Sequence, residues 1–483
     1  MAERAQIPPA TGLFAEPWSA GKVRRLLAMF GPAAIVASVS IGAGETIVVV
    51  RAGAWAGYGL LWLVLLSAVV KGVFVTYLIG RYTAVSGELI GHRLVQLPGP
   101  RGWFLLLLVV LEMSCAPLAW VAIAKPCGNL VHYLAGPPGS SPVLWQNAGT
   151  SLFILLALAL GLRLSFSRLE KQQLLICLIL VLGTALGTAI VRPDLGAALA
   201  GSLSFGDIPD LPPWAPEAAR ANPLLMMATT FGYVGGGVFI YLAYSNWVGL
   251  HRWGLTDHPR IEGIREQAMA SGRVEHLPED AESVRRLRVL ASPVRWDVGA
   301  GAVVLFVVTA AFMLSGAAVL FPLQTQFEGW SLLTEQAHVW RAIHPSLVWI
   351  YYVCILAALW GTLQALPEVY ARVVQEFLAA IWPHREWSYE GIKRISCLWV
   401  AAAALALIWT GVPFDTLIQI ASFLLANLAI FLISLGALYL NRLLPRPHRT
   451  HWLIAAGGWV SAAVLGAFAA ISAWGLAAKF GLL

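Results

Sequence analysis

Long apolar stretches separated by short polar segments dominate the chain. A helix needs about 20 apolar residues to cross a bilayer, and eleven stretches approach or exceed that length. Their predicted bounds are 25–52, 59–82, 103–124, 145–164, 172–191, 223–250, 296–321, 345–366, 394–411, 415–440 and 452–476. The pattern therefore predicts an all-α integral membrane protein with about eleven transmembrane helices.

Two of these stretches are interrupted by glycine clusters. The first contains Gly42, Ala43, Gly44 and Glu45 in sequence, and the sixth contains Gly235, Gly236 and Gly237. Glycine in a helix interior costs roughly 1 kcal/mol relative to alanine. The clusters predict that the first and sixth helices are broken near the middle of the membrane.

The positions of the two breaks indicate an internal repeat. If the first ten helices form two halves of five, each break lies in the first helix of its half, and an odd number of helices inverts the second half in the membrane. The predicted organisation is a cytoplasmic tail 1–24, a transport core 25–440 with repeats 25–191 and 223–440, a cytoplasmic loop 251–295 and an additional eleventh helix 452–476.

Composition and charge place the chain in a bilayer. It has 483 residues, of which 59% are hydrophobic and 12% charged, whereas soluble domains carry about 25% charged residues. The net charge of +7 comes from short loops on one side, which favours membrane topology over nucleic acid as its cause. We expect a multi-pass protein of a bacterial-type inner (plasma) membrane, with the N-terminus cytoplasmic and the C-terminus outside.

Other function classes receive no support from the sequence. The polar N-terminal segment lacks the apolar core of a signal peptide, and five scattered cysteines form neither a metal motif nor a disulfide framework. Because no HExxH, GxSxG or P-loop motif occurs, we expect a protein that is not an enzyme and has no cofactor, apart from a coupled Na⁺ or H⁺. The expected partners are lipid and a small inorganic ion, and no oligomer is required.

Broken helices expose backbone groups that bind ions of either sign, and glycine lets a ligand approach them closely. The predicted substrate-binding residues are Gly42, Ala43, Gly44, Glu45, Tyr233, Gly235, Gly236 and Gly237. Candidates for coupling or electrostatic roles are Glu45, Lys71 and Glu112, and possible contacts from the tenth helix are Gln419 and Asn427.

Several of these residues allow two interpretations. A mid-membrane charge such as Lys71 is costly and usually functional, but it can also form a structural ion pair, for which Glu45 and Glu112 are the nearest candidates. Glu45 can ligate a cation or carry a proton, or it can stabilise the N-terminus of the second half-helix. For Gln419 and Asn427 the alternative is interhelical hydrogen bonding.

The first two predicted helices contain a series of motifs that resembles a known family. The motifs are Gly31-Pro32, Gly42-Ala43-Gly44-Glu45, Arg51-Ala52-Gly53-Ala54 and Gly57-Tyr58-Gly59-Leu60-Leu61-Trp62. They resemble the Nramp divalent-metal transporters, which typically read Gly-Pro-Gly, Asp-Pro-Gly-Asn, Ala-Gly-Ala and Gly-Tyr-x-Leu-Leu-Trp. The resemblance implies a leucine-transporter-like inverted 5+5 repeat with broken helices 1 and 6.

The same resemblance implies that the usual metal ligands are missing. In Nramp proteins the aspartate and asparagine of the first motif bind metal, and the aligned residues here are Gly42 and Glu45. The alanine, methionine, proline and histidine of the Nramp sixth helix align with Tyr233, Gly236, Gly237 and Val238, and the acidic positions of its third helix align with Ala119 and Ala122. None of the usual transition-metal ligands, which include soft sulfur, remains at these positions.

Two functions follow as hypotheses, both as secondary active transport by alternating access. The favoured one is transport of a small anion such as bicarbonate, coupled to H⁺ or Na⁺, because the metal ligands are lost, backbone amides are exposed and Lys71 adds positive charge. The alternative is a divalent-cation transporter of the Nramp type for Mg²⁺ or Mn²⁺, because Mg²⁺ keeps several waters and needs few carboxylates.

Overall fold

In the part of the chain that the structure describes, ten helices are long and apolar enough to cross a membrane, and a bent pair, Pro32–Ser40 with Gly44–Ala56, makes eleven. The computed structural model describes residues 5–9, 13–17, 19–28, 31–42, 44–136, 141–271, 274–324, 333–334, 336–337, 340–341 and 344–482. The helices are α1a (Pro32–Ser40), α1b (Gly44–Ala56), α2 (Leu61–Ser86), α3 (Trp103–Ala135), α4 (Pro142–Arg163), α5 (Phe166–Val191), α6a (Pro223–Tyr233), α6b (Val238–Leu250), α7 (Ser292–Ser315), α8 (Leu347–Ile381), α9 (Tyr389–Ile408), α10 (Phe414–Leu443) and α11 (Trp452–Lys479). The predicted fold class is confirmed.

Both predicted breaks are present. The axes of α1a and α1b differ by 51°. In the sixth helix, Gly235 and Gly236 have φ angles of +96° and +73°, a conformation that glycine adopts without the steric penalty of a Cβ atom. Glycine therefore permits the interruption of helical geometry between α6a and α6b.

The two breaks lie side by side in the centre of the bundle. The Ser40 hydroxyl at the end of α1a donates to the Gly235 carbonyl at 2.9 Å. A Cβ atom on Gly44 would lie 2.9 Å from the backbone oxygen of Tyr233, so only glycine allows this approach. The two breaks, which are almost 200 residues apart in the sequence, are thus adjacent in the structure.

Widened helical turns with i→i+5 hydrogen bonds surround the breaks. They occur in α1b (Gly44–Val49), α2 (Ala68–Val75) and α10 (Ser422–Leu428), and one further turn, Gly316–Leu320, extends α7. Such turns often occur at functional sites because they redirect side chains and free carbonyl groups. The widened turn of α2 contains Lys71.

A carboxylate from the second half holds the start of α1a. Asp297 of α7 accepts hydrogen bonds from the N–H groups of Gly31 (3.1 Å) and Ala33 (2.8 Å), and from the Tyr244 hydroxyl of α6b at 3.0 Å. A carboxylate at a helix N-terminus satisfies amides that lack intrahelical partners. This contact ties the two halves together at the end of α1a that is remote from the break.

The outward faces of the bundle are apolar, as expected for contact with lipid. Large side chains such as Leu182 of α5, Val303 of α7 and Ile395 of α9 are exposed to 60–72%. The eleventh helix is packed against the core, because Phe468 stacks on Phe231 of α6a with ring centroids 4.1 Å apart. The predicted orientation of the two termini stays a prediction.

The segment 251–295, which the sequence analysis predicts as a loop, contains helical structure. It has helices at Ile261–Ser271 and Ala281–Leu290. The His276 ring contacts the carbonyl of Ser86 at the end of α2 (2.8 Å), and the His276 carbonyl accepts from the N–H of Ala5 in the N-terminal tail (2.8 Å). Burial lowers the pKa of His276, so the neutral ring is favoured in this contact.

Glycine also allows α1b and α7 to touch along their backbones. A Cβ atom on Gly53 would lie 2.3 Å from the carbonyl oxygen of Met313, and one on Gly316 would lie 2.1 Å from that of Val50. No L side chain fits at either position without moving a backbone.

We predict that Gly53→Ala lowers the stability of the purified protein, by about 1–3 kcal/mol as is typical of overpacked interiors. The matched control is Gly263→Ala in the exposed helix Ile261–Ser271, where a Cβ meets no atom within 4 Å and alanine favours the helix. Thermal unfolding in detergent measures both. Equal melting temperatures for the two variants would contradict the close contact of α1b with α7.

Candidate functional site

A cavity of about 80 Å³ lies between the two breaks and the facing surfaces of α3, α8 and α10. Its polar lining side chains are those of Ser40, Glu112, Tyr233, Thr362, Tyr370 and Ser422, and its lining glycines are Gly42, Gly44, Gly232, Gly236 and Gly237. The breaks thus border the cavity with backbone, and the polar side chains come from the ends of α1a and α6a and from α3, α8 and α10.

Glu112 of α3 supplies the acidic side chain of the cavity. It is only 4% exposed, and its Oε2 atom has no hydrogen-bond partner among the described residues. The same carboxyl group interacts with the backbone N–H of Phe239 in the first turn of α6b, and Oε2 would lie 3.8 Å from a Cβ atom on Gly237. A buried polar atom without a partner is costly, so this oxygen is placed to meet a ligand or a proton.

Three hydroxyl groups of the cavity present lone pairs instead of hydrogens. Ser40 donates its proton to the Gly235 carbonyl at 2.9 Å, Thr362 donates to the Ala358 carbonyl at 3.1 Å, and Ser422 donates to the Thr229 carbonyl at 3.2 Å. A hydroxyl has one donor and two acceptor positions. Since each donor is used on the backbone, these oxygens remain available to the cavity as acceptors.

Lys71 lies beside the cavity and does not line it. Its Nζ atom donates to the carbonyls of Phe231 (2.8 Å), Gly232 (2.8 Å) and Val234 (3.1 Å) at the end of α6a, and it lies 4.6 Å from the centre of the Phe231 ring. Within the described parts of the chain, it forms no ion pair with Glu45 or Glu112. The expected carboxylate partner is thus replaced by backbone carbonyls.

Glu45 also turns away from the cavity. Its carboxylate accepts hydrogen bonds from the N–H groups of Gly42 (3.0 Å) and Gly235 (3.3 Å), and the side chain is fully buried. These contacts match the interpretation in which Glu45 stabilises the N-terminus of the second half-helix. They also connect α1b to the break in the sixth helix.

The two charges hold opposite ends of one peptide unit. The Val234 carbonyl accepts from Lys71, and the N–H of the same peptide bond, on Gly235, donates to Glu45. Hydrogen bonds to charged groups contribute about 1.5–3 kcal/mol each. We call the four residues Glu45, Lys71, Val234 and Gly235 the peptide clamp.

The structure places the predicted site residues in different surroundings. Gly42, Gly44, Tyr233, Gly236, Gly237 and Glu112 line the cavity, whereas Glu45, Lys71 and Gly235 form the clamp next to it. Ala43 lies outside the described residues. Gln419 accepts a hydrogen bond from Lys479 of α11 (2.7 Å), and Asn427 donates to the Ala228 carbonyl (3.1 Å) and to Ser472 (3.0 Å), so both form the interhelical contacts considered as the alternative.

Sequence reasoning missed Ser40, Thr362, Tyr370 and Ser422 as cavity residues. Ser40 directly precedes the first break, and this position was a usable signal. Thr362 and Ser422 are hydroxyl residues in long apolar helices, where such residues commonly bond to their own backbone, so their sequence context does not single them out.

Comparison with known proteins identifies the family. The family model described as natural resistance-associated macrophage protein-like, or Nramp, matches residues 33–475. The chain belongs to the Nramp family. This family consists of transporters, and membership together with the fold supports a secondary transporter that works by alternating access. A sequence search of curated proteins found no match.

Solved structures share the fold at low sequence identity. A mutant of the manganese transporter of Eremococcus coleocola is 14% identical, with 96% of this chain and 90% of that chain covered and a TM-score of 0.59. The same transporter bound to an aromatic bis-isothiourea substituted compound is 15% identical, with 98% of this chain and 91% of that chain covered and a TM-score of 0.55. Mhp1, a nucleobase-cation-symport-1 family transporter in a closed conformation, is 13% identical, with 94% of each chain covered and a TM-score of 0.50.

Several positions that the resemblance aligns with Nramp ligand positions line the cavity. The positions aligned with the metal-binding aspartate of Nramp proteins and with their methionine are Gly42 and Gly236, and both line the cavity. Ala119, aligned with an acidic position of the Nramp third helix, lines it as well. The resemblance to Nramp proteins thus places several of the family's ligand positions at this cavity, where Glu112 is the carboxylate among the described lining residues.

We predict different effects for two neighbouring glycines. Gly235→Ala should lower the melting temperature, because a positive φ costs an L residue about 1–2 kcal/mol and the new Cβ would lie 2.5 Å from the Tyr241 hydroxyl. Gly237→Ala should keep the melting temperature but reduce transport, because φ there is −89° and the added methyl meets only ordinary contacts at the cavity wall. Thermal unfolding and uptake into proteoliposomes measure the two effects. A stable Gly235→Ala protein would contradict the described break.

Proposed function

We propose that the protein transports a hard divalent cation, Mg²⁺ or Mn²⁺, which binds in the central cavity with part of its water shell. This is the Nramp-type alternative of the sequence analysis, and it replaces the anion as the preferred substrate. Coupling to Na⁺ or H⁺ stays a prediction.

One observation carries the proposal. Among the described residues that line the cavity, Glu112 is the acidic one, its Oε2 atom is unpartnered, and no lysine, arginine or histidine accompanies it. A buried carboxylate with a free oxygen attracts a cation and repels an anion. The hydroxyl oxygens of Ser40, Thr362 and Ser422 support the same sign, because their protons are committed to backbone carbonyls.

The half-helix ends around the cavity point to the same conclusion. Glu45 compensates the positive N-terminus of α1b, Glu112 faces that of α6b, and Lys71 compensates the negative C-terminus of α6a. In the described part of the chain, no basic side chain compensates the C-terminus of α1a, where the Ile41 carbonyl lies 3.4 Å from the hydroxyl oxygen of Thr362, whose proton is donated to Ala358. The end left without a counter-charge is thus negative and favours a cation.

The argument for an anion loses its main support in this geometry. It relied on Lys71 as a free positive charge, but the ammonium group is fully buried and occupied by three carbonyls. An anion in the cavity would face Glu112 without a basic side chain from the described lining residues to balance it.

The donor set favours hard over soft metals. Carboxylate, hydroxyl and water oxygens suit Mg²⁺ and Mn²⁺, whereas thioether and thiolate suit soft ions. The described lining contains neither methionine nor cysteine. Two of the solved structures with this fold are of a manganese transporter. Because Mn²⁺ accepts oxygen ligands, the proposal includes this ion. Mg²⁺ binds through one or two carboxylates and retains several waters, which agrees with a cavity of about 80 Å³.

We predict that proteoliposomes containing the protein take up Mg²⁺ and Mn²⁺, and that Glu112→Gln reduces this uptake by roughly tenfold or more, since truncating a charged interaction costs at least about 1.4 kcal/mol. Ion-sensitive dyes inside the vesicles measure uptake. The matched control is Glu262→Gln in the cytoplasmic loop, where the side chain is 77% exposed, and which should leave uptake unchanged.

Two further arms of this experiment separate the alternatives. Cd²⁺, a soft ion, should compete poorly with Mn²⁺ if oxygen atoms form the site. External bicarbonate should not raise the internal pH of the vesicles beyond that of protein-free controls. Protein-dependent bicarbonate uptake without uptake of either divalent ion would overturn the proposal and restore the anion hypothesis.

A further inference from the structure

We propose that Lys71 is a built-in cation: its ammonium group occupies a monovalent-cation site formed by the C-terminal carbonyls of α6a, and the ligand class of that site is a primary ammonium ion. The inference goes beyond the transported substrate and does not depend on which ion enters the central cavity.

The carbonyl groups of the broken helix define this site. An α-helix leaves its last four carbonyls without intrahelical donors. At the end of α6a, the Tyr233 carbonyl accepts from the N–H of Gly236 at 3.3 Å, and those of Phe231, Gly232 and Val234 accept from Lys71. All four terminal carbonyls are therefore satisfied, three of them by one amine.

The number of acceptors matches the ammonium form of the amine. A protonated lysine has three N–H donors and no acceptor, whereas a neutral amine has two donors. Lys71 faces three carbonyl oxygens at 2.8–3.1 Å, and the Phe231 ring adds a cation–π contact at 4.6 Å. Both features match the ammonium form.

Ser67, one turn before Lys71 in α2, completes the polar shell. Its hydroxyl donates to the Val234 carbonyl at 2.8 Å, and its oxygen lies 3.2 Å from the Phe231 carbonyl oxygen. Carbonyl dipoles that converge on one point replace the hydration shell of a cation. In this protein the cation is covalently attached to α2, so α2 and α6a are tied together without an ion from solution.

Chemical rescue tests the inference. Lys71→Ala removes three methylene groups and the ammonium group, which together correspond to propylammonium. We expect this variant to lose transport by roughly tenfold or more, because three carbonyls lose charged partners. We also expect a lower melting temperature, which propylammonium chloride raises in a saturable way because the amine binds the folded state. 1-Propanol, which has a similar shape but no charge, should not raise it.

Lys71→Met is the matched control, because methionine fills the space without a charge. Propylammonium should stabilise neither this variant nor the wild-type protein, in which the site is already filled. Equal effects of the amine on all three proteins, or full wild-type stability and transport of Lys71→Met, would overturn the inference. The melting temperature requires no transport, so failure of this test is distinguishable from failure of the proposed substrate.

Discussion

The peptide bond between Val234 and Gly235 is the point on which the rest of the structure depends. The chain leaves helical geometry there, and the exposed carbonyl and N–H groups are held by Lys71 and Glu45. Buried charges are expensive unless they are paired or fully hydrogen-bonded. Here each charge is stabilised by backbone groups that the helix break itself leaves without partners, so the break and the charges stabilise one another.

This arrangement determines what the central cavity presents to a substrate. Glu45 and Lys71 are bonded to the backbone in the peptide clamp, so neither side chain lines the cavity. The polar groups that the cavity presents are the Glu112 carboxyl group and hydroxyl oxygens whose protons are donated to backbone carbonyls. In the Nramp family the same place carries metal ligands, as the aligned motifs imply. This chain has the broken-helix framework of the family, and its described cavity lining offers oxygen atoms and backbone groups in that place.

The bundle was largely predictable from sequence, whereas the partners of the buried charges were not. The spans followed from the length of apolar stretches, and the breaks followed from glycine clusters, because both depend on local composition. The partner of Lys71 depends on carbonyls of α6a that are free only because that helix ends at Tyr233. Sequence reasoning considers side-chain charges first, so it paired Lys71 with Glu45 or Glu112. Thr362 was missed because only the packing of α8 against the first break brings its hydroxyl to the cavity.

Anomalous X-ray diffraction from crystals grown with Mn²⁺ tests the central claim most directly, since it locates the ion without assuming a transport cycle. The claim is that Glu112 meets the substrate while Glu45 and Lys71 hold the helix break. It predicts an anomalous peak in the cavity within coordination distance of the Glu112 carboxylate, with the Glu45 carboxylate still on the amides of Gly42 and Gly235. A peak coordinated by Glu45, with Glu112 free of the ion, would contradict the claim.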